Sequence, residues 1–174
     1  MTGQMTVLVT GASSGIGRAT ATRFAQRGHR VFATARREEL LADLAAATPN
    51  VQAVSLDVTD EDLVRRAWAK IEASTGGAGV DVLVNNAGIA LPGPVELLGG
   101  PDVQRQFATN VFGLLTMTRT VLPAMRARGS GRIINISSLV GRTSFPFMGV
   151  YGATKYAVEA LSDALRQAWV PQLM

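Results

Sequence analysis

Five short apolar runs, each followed by a glycine or polar cluster and then by a segment of helical period, constrain this chain more than any other feature. The runs are 7–9, 31–34, 51–56, 80–84 and 132–136. Between and after them, helical patterns cover 16–26, 37–47, from Thr59 or Asp60 to about Ser74, about 102–128 and 150–168. Gly28 and Thr48-Pro49 stop the first two helices, and either Thr59 or Asp60 can cap the third. In the long fourth helix Phe107, Val111, Leu114, Leu115, Thr118, Leu122 and Met125 form one apolar stripe. Runs that are continuously apolar, instead of alternating, predict strands of a parallel sheet buried on both faces. Regular strand–helix alternation predicts an α/β fold in which that sheet is doubly wound. The longest irregular connection, from Ile89 to Gly100, is expected to border a site.

Composition narrows the class. At 174 residues, 47% hydrophobic and 17% charged, the chain is expected to form one globular domain with a sizeable core. No apolar run approaches the ~20 residues that span a bilayer, and the N-terminus has no basic region of a secretory signal. Without a cysteine there is no disulfide, thiolate metal site or cysteine nucleophile. The expectation is a soluble, cytoplasmic protein. The net charge of +4 comes from scattered arginines with few aromatics, which gives nucleic-acid binding little support. His29, the single histidine, lies in a turn without a partner for metal binding.

In open α/β sheets ligands collect at the carboxyl ends of the strands. Each unusual cluster in this chain falls at such an end. Thr10-Gly11-Ala12-Ser13-Ser14-Gly15-Ile16-Gly17 follows the first strand and opens a helix. Gly11 permits the turn, Gly15 lets a pyrophosphate approach the backbone, and Gly17 allows close helix–strand packing. Arg36 ends the second strand with no acid in reach. An acidic residue there would bind the ribose 2′-hydroxyl of NAD, whereas arginine suits the 2′-phosphate, so NADP(H) is favoured over NAD(H). Asp57 ends the third strand, Asn85-Asn86-Ala87-Gly88 the fourth, and Ser138 the fifth. Thirteen residues on, Tyr151 and Lys155 stand four apart on one helix face. A phenol with an ordinary pKa of about 10 is a poor acid. A neighbouring ammonium favours the phenolate and lets tyrosine exchange protons near neutral pH, and a serine hydroxyl beside them can hold a substrate oxygen.

Together Thr10-Gly-x-x-x-Gly-x-Gly17, Asp57-Val58, Asn85-Asn-Ala-Gly88, Asn110 in Thr109-Asn-Val-Phe-Gly113, Ser138 and Tyr151-x-x-x-Lys155 resemble the short-chain dehydrogenase/reductase family over essentially the whole chain. The resemblance implies a Rossmann-like domain that binds a nicotinamide cofactor and interconverts a hydroxyl and a carbonyl. It implies Tyr151 as the acid/base, Lys155 on the nicotinamide ribose, Ser138 on the substrate oxygen, and Asn110 holding a water between Lys155 and solvent. It further implies Asp57 and Val58 against adenine, and Asn85, Ala87 and Gly88 lining the cofactor cleft. The glycine loop, with Ser13, Ser14 and Ile16, would hold the pyrophosphate. Leu91–Leu98 with Arg105-Gln106-Phe107 is similar to members acting on steroid, retinoid or other lipid-like carbonyls.

The pattern departs from the family after the Tyr/Lys helix. Pro171 is expected to end that helix, and no residues remain for the family's last two strands and substrate-covering segment. That predicts an open edge on the fifth strand and reduced cover over the site, unless a second copy supplies it; members commonly pair as homo-oligomers. Two alternatives to an active enzyme therefore stand at this point: a catalytically silent nucleotide-binding module, and an inactive fragment of a larger enzyme.

Overall fold

The alternating pattern folds into one parallel sheet with helices on both faces. The computed structural model describes residues 3–169, with side chains to residue 168. In chain order the elements are β1 (Thr6–Thr10), α1 (Gly15–Gln26), β2 (Arg30–Ala35), α2 (Glu38–Ala47), β3 (Val51–Ser55), α3 (Glu61–Ser74), β4 (Val82–Asn85), α4 (Gly100–Phe107), a π-helical turn (Ala108–Phe112), α5 (Gly113–Ala127), β5 (Arg132–Asn135) and α6 (Gly149–Trp169). Short 3₁₀ turns occupy Val95–Leu97 and Leu139–Gly141. Sheet order is β3-β2-β1-β4-β5, all parallel. The topological reversal thus lies between β1 and β4, which places the glycine loop and the Asn85–Gly88 segment side by side.

Period-two alternation divides the strand residues between two cores. Val7, Val9, Val31, Ala33, Val82 and Val84 face Ala21 and Ala25 of α1 and Leu41 and Leu44 of α2. Leu8, Phe32 and Leu83 face Val64, Ala67 and Ile71 of α3 and Met117, Val121 and Met125 of α5. Each of the larger fully buried side chains contributes about 1.5–3 kcal/mol of transfer free energy. Asp60 proves to be the cap of α3, its Oδ1 accepting from the Leu63 N–H at 2.9 Å. Thr59 instead donates through its N–H and Oγ1 to Asp57 Oδ1, at 2.9 and 2.8 Å. His29 serves its turn, with Nδ1 accepting from the Met5 N–H.

Three expectations need adjustment. Burial on both faces holds for β1, β2 and β4, but Gln52, Ala53 and Ser55 of β3 are exposed and β5 is only half-buried. These are the outer strands, where the helical layers run out. Along β5 lies a groove of about 420 Å³, bounded by Leu122 and Met125 of α5, Ile133 and Asn135 of β5, and Ser162 and Leu165 of α6. Second, the long fourth helix is interrupted: the π turn inserts an extra residue around Asn110. Of the expected stripe, Val111, Leu114, Thr118 and Met125 do lie on the buried face. Gln106, Met117 and Val121 are buried, whereas Phe107, Leu115 and Leu122 are only partly covered. Third, α6 begins at Gly149 and runs to Trp169; Pro171, expected to end it, lies outside the described residues. Among the described residues no helix is long and apolar enough to cross a membrane, and no group of His, Asp or Glu is arranged to hold a metal ion.

Candidate active site

The glycine loop is built as its residue types demand. Gly11 and Gly15 adopt positive φ, +66° and +55°, a region costly to residues with a Cβ. A Cβ at Gly15 would meet nothing within 4 Å, so this backbone borders open space. Ser14 precedes α1 in extended conformation, and Ser14 and Ile16 are exposed while Ser13 is buried. The first N–H groups of α1 have no partner within the helix and carry its positive end toward that space. An anionic pyrophosphate fits this arrangement.

One side chain outside the expected set locks the loop. Asn86 Nδ2 donates to the carbonyls of Thr10 and Gly11, at 2.9 and 3.2 Å. The N–H groups of Asn86 and Ala87 both donate to Thr10 Oγ1 at 3.0 Å. The segment after β4 is thereby stapled to the segment after β1. Gly17 completes the fit, because a Cβ there would overlap Asn86 Nδ2 and the Gly11 carbonyl. Gly17→Ala is expected to lower stability by about 2 kcal/mol, since backbone cannot give way as a flexible side chain can. A urea unfolding midpoint equal to that of the unsubstituted chain would contradict this packing. The sequence signal for Asn86 was its place in the Asn-Asn-Ala-Gly run, although polarity alone does not tell which asparagine turns toward the loop.

Asn85 turns the other way. It is buried, and its Nδ2 donates to Asn135 Oδ1 at 2.9 Å and Thr118 Oγ1 at 3.2 Å, bracing β4 against β5 and α5. Ala87 packs partly buried against the core shared with α3 and α5, and Gly88 lies where a Cβ would come within 3.2 Å of Asn110 Oδ1 and 3.7 Å of Lys155 Nζ. Val58 is buried against Gly113, with 2.5 Å between Val58 Cγ2 and a Cβ placed there. Asp57 holds Thr59, as above, and lies 3.7 Å from Arg36, so the expectation of no acid in reach of Arg36 fails: β3 pairs beside β2 and brings its own end residue to it. Arg36 is 72% exposed and faces solvent at the end of β2. Arg37 is the arginine that reaches the glycine loop, donating from Nη2 to Ser13 Oγ at 3.0 Å and Ser14 Oγ at 2.9 Å.

Beyond β5 in the chain, α6 carries Tyr151 and Lys155. Lys155 is buried, and its Nζ donates to the Ile136 carbonyl at 2.8 Å. It lies 5.7 Å from the centroid of the Tyr151 ring. Burial pushes its ammonium below its ordinary value, because desolvation disfavours the charged form. Ser138 opens the 3₁₀ turn Leu139–Gly141, with its carbonyl accepting from the Gly141 N–H at 3.0 Å. This turn rests on α6. A Cβ at Gly141 would come within 3.0 Å of the Lys155 carbonyl, and one at Gly152 within 3.3 Å of the Val140 carbonyl. Arg142 fastens the same stretch through Nε and Nη2 to Glu159 Oε2, at 3.0 and 2.8 Å. Asn110, in the π turn, accepts from the Ile89 N–H and donates to the Ile89 carbonyl, both at 2.8 Å. Its Nδ2 also donates to Thr154 Oγ1 at 3.0 Å, and that hydroxyl donates to the Tyr151 carbonyl.

The arrangement therefore brings a phenol, a buried ammonium and a serine-bearing turn together at the carboxyl end of β5. The N-terminus of α1 stands two strands away. A family model described as short chain dehydrogenase matches residues 5–172. The chain is similar to the 3-ketodihydrosphingosine reductase of Bacteroides thetaiotaomicron, with 41% identity over 159 residues, 91% of this chain and 56% of that protein. It is 43% identical over 166 residues to the NADP-dependent 3-hydroxy acid dehydrogenase YdfG of Escherichia coli, covering 93% of this chain and 65% of that one. Among solved structures, a short-chain dehydrogenase from Streptomyces avermitilis superposes with a TM-score of 0.92 at 45% identity, over 97% of this chain and 62% of that one. The chain thus spans between half and two thirds of the length of the curated relatives it matches.

Proposed function

Because the chain belongs to the short-chain dehydrogenase family, we propose that it is an NADP(H)-dependent oxidoreductase that interconverts a carbonyl and a hydroxyl on a small or lipid-like substrate. The observation that carries the proposal is the buried Lys155 ammonium beside Tyr151, on a helix against which the Ser138 turn is packed. When bound, the cofactor supplies or accepts the hydride at the substrate carbon. The protein's own residues handle the oxygen. In the direction of reduction the Ser138 hydroxyl donates a hydrogen bond to the carbonyl oxygen, and Tyr151 gives its phenolic proton to the alkoxide as negative charge develops there. Lys155 supplies positive potential next to a phenol that must lose and regain a proton. Its own position is fixed by the Ile136 carbonyl. Asn110 and Thr154 hold the backbone at Ile89 and Tyr151 in one hydrogen-bonded chain, so the floor of the site and the acid/base helix keep a common frame.

The open backbone at Gly15, the start of α1 and the exposed Ser14 and Ile16 suit the pyrophosphate. Arg36 and Arg37, with no acid beside them in 34–37, suit a 2′-phosphate. Support for NADP(H) also comes from the relative named NADP-dependent and from the closed form of a serine dehydrogenase complexed with NADP+, which is 41% identical to this chain over 94% of it. A charge-assisted hydrogen bond contributes about 1.5–3 kcal/mol. Arg36→Ala and Arg37→Ala are therefore each expected to raise the Kd for NADPH by about tenfold or more, with NADH affinity held within about twofold. Fluorescence titration of the two nucleotides measures this, and equal losses for both would count against arginine as the phosphate reader.

A lipid-like substrate is supported by the relatives named 3-ketodihydrosphingosine reductase and NADPH-dependent 3-dehydrocapnine reductase. Within this chain it is supported by the exposed apolar side chains Val95 and Leu97 on the loop after β4. The test is NADPH oxidation with a panel of ketones of increasing apolar chain length. Turnover that grows with chain length is the expected result, and binding of NADPH without turnover of any ketone would favour a silent nucleotide-binding module.

A further inference from the structure

Gln106 is an amide buried without any exposure, in the last turn of α4, at a place where an apolar side chain would ordinarily serve a helix core. Its Oε1 accepts from the Leu91 N–H at 3.0 Å, and its Nε2 donates to the Leu91 carbonyl at 3.4 Å. Four residues on, Asn110 makes the same two-point contact with Ile89. Residues four apart on a helix share a face, and residues two apart on an extended segment present their N–H and C=O groups to the same edge. The two amides thus do for the segment after β4 what a neighbouring strand would do. Their onward connections differ. Asn110 leads to Thr154 and the Tyr151 backbone, whereas Gln106 holds Leu91, from which the chain enters the loop toward α4.

That loop is joined to a second one. The Gly93 N–H donates to the Phe147 carbonyl at 2.8 Å, and Phe147 lies in the stretch linking Ser138 to Tyr151. Phe147 sits at φ +64°, a left-handed conformation that a bulky residue keeps only when its surroundings hold it there. Val95 meets the first residue of α6, with Val95 Cγ2 3.1 Å from a Cβ placed on Gly149. Val95, Leu97 and Phe147 are all more than 60% exposed, so the two joined loops present an apolar wall beside the helix of Tyr151. We infer that Gln106 is a positioning residue for the substrate side of the site: through Leu91 it holds the loop after β4 in place, and with it the Gly93–Phe147 junction and the apolar wall. The inference rests on the reading of Tyr151 as the proton donor to a bound carbonyl compound.

The variant Gln106→Met keeps the length of the side chain and removes both polar atoms. Two readouts are taken on the 174-residue chain. Hydrogen exchange is expected to quicken by about tenfold or more in residues 89–99 and 143–148, with β1 and β4 unchanged. For the ketone from the panel that turns over best, KM is expected to rise about tenfold, with kcat within about threefold and NADPH affinity unchanged. Unaltered exchange in 89–99, or a fall in kcat at constant KM, overturns the inference. The exchange experiment needs no turnover, so a chain that reduces no ketone refutes the oxidoreductase reading while the latch is still decided by exchange. If Gln106→Met fails to fold, Gly93→Pro removes the donor to Phe147 and leaves Gln106 in place. Faster exchange in 143–148 with raised KM supports the wall, and unchanged values of both overturn it.

Discussion

Tyr151→Phe is expected to lower kcat for ketone reduction by about 10³-fold, within the range found for loss of a positioned proton donor. The substitution removes one oxygen from a partly buried ring on α6 and leaves the ring–ammonium contact with Lys155 in place. NADPH affinity is therefore expected to stay within about twofold and the urea midpoint to remain close to that of the unsubstituted chain. The combination is diagnostic. A folded protein that binds cofactor but has lost turnover has lost the proton, whereas parallel losses of binding and turnover would point to a damaged cleft.

Lys155→Met carries the second large effect, with kcat/KM expected to fall by about 10²–10³-fold because a fixed charge on a buried group is worth more than one in solvent. It also has a signature in stability. Burial holds the Lys155 ammonium below its ordinary value, so on raising the pH the folded chain releases this proton before the unfolded chain does. Between the two values the unfolded state binds more protons, and stability rises with pH across that window. Below the window both states are protonated and the folded protein bears the full desolvation cost. Lys155→Met removes the titration. Urea midpoints of the two proteins, followed from neutral pH to about pH 10, should show the unsubstituted chain gaining stability relative to the variant as pH rises. A constant difference would contradict the burial argument. The variant also leaves the Ile136 carbonyl without its 2.8 Å donor, so the size of the difference at neutral pH combines two opposing changes, and the slope is the cleaner test.

Much of this molecule is legible in its sequence because parallel strands buried on both faces write themselves as apolar runs, and because ligand-binding clusters must follow them at their carboxyl ends. The glycine loop and Ser138 follow β1 and β5, and Lys155 of α6 reaches the Ile136 carbonyl just past β5. What remains hidden depends on partners distant in sequence. The π turn around Asn110 leaves no mark in hydrophobic periodicity; it is visible only once Ile89 and Thr154 are seen to bond that side chain. Gln106 stands in the sequence only as part of Arg105-Gln106-Phe107, and its hold on the loop appears once Leu91 is seen to supply both its partners. Asn85 and Asn86 are adjacent and chemically identical, yet the pleat sends one toward β5 and the other to the glycine loop. Arg36 and Arg37 likewise point apart at the end of β2, one to Asp57 and one to Ser13 and Ser14. In each case chemistry names the residue type, and backbone geometry chooses which neighbour acts.

Hydride is expected to reach the substrate carbon while Tyr151 supplies the proton to its oxygen. The most direct measurement uses NADPH carrying deuterium at both positions of nicotinamide carbon 4, a ketone from the panel, and mass spectrometry of the alcohol formed. One deuterium is expected on the carbinol carbon with the unsubstituted chain, and about 10³-fold less labelled alcohol in the same time with Tyr151→Phe. Alcohol formed without deuterium, or labelled equally fast by both proteins, would contradict it.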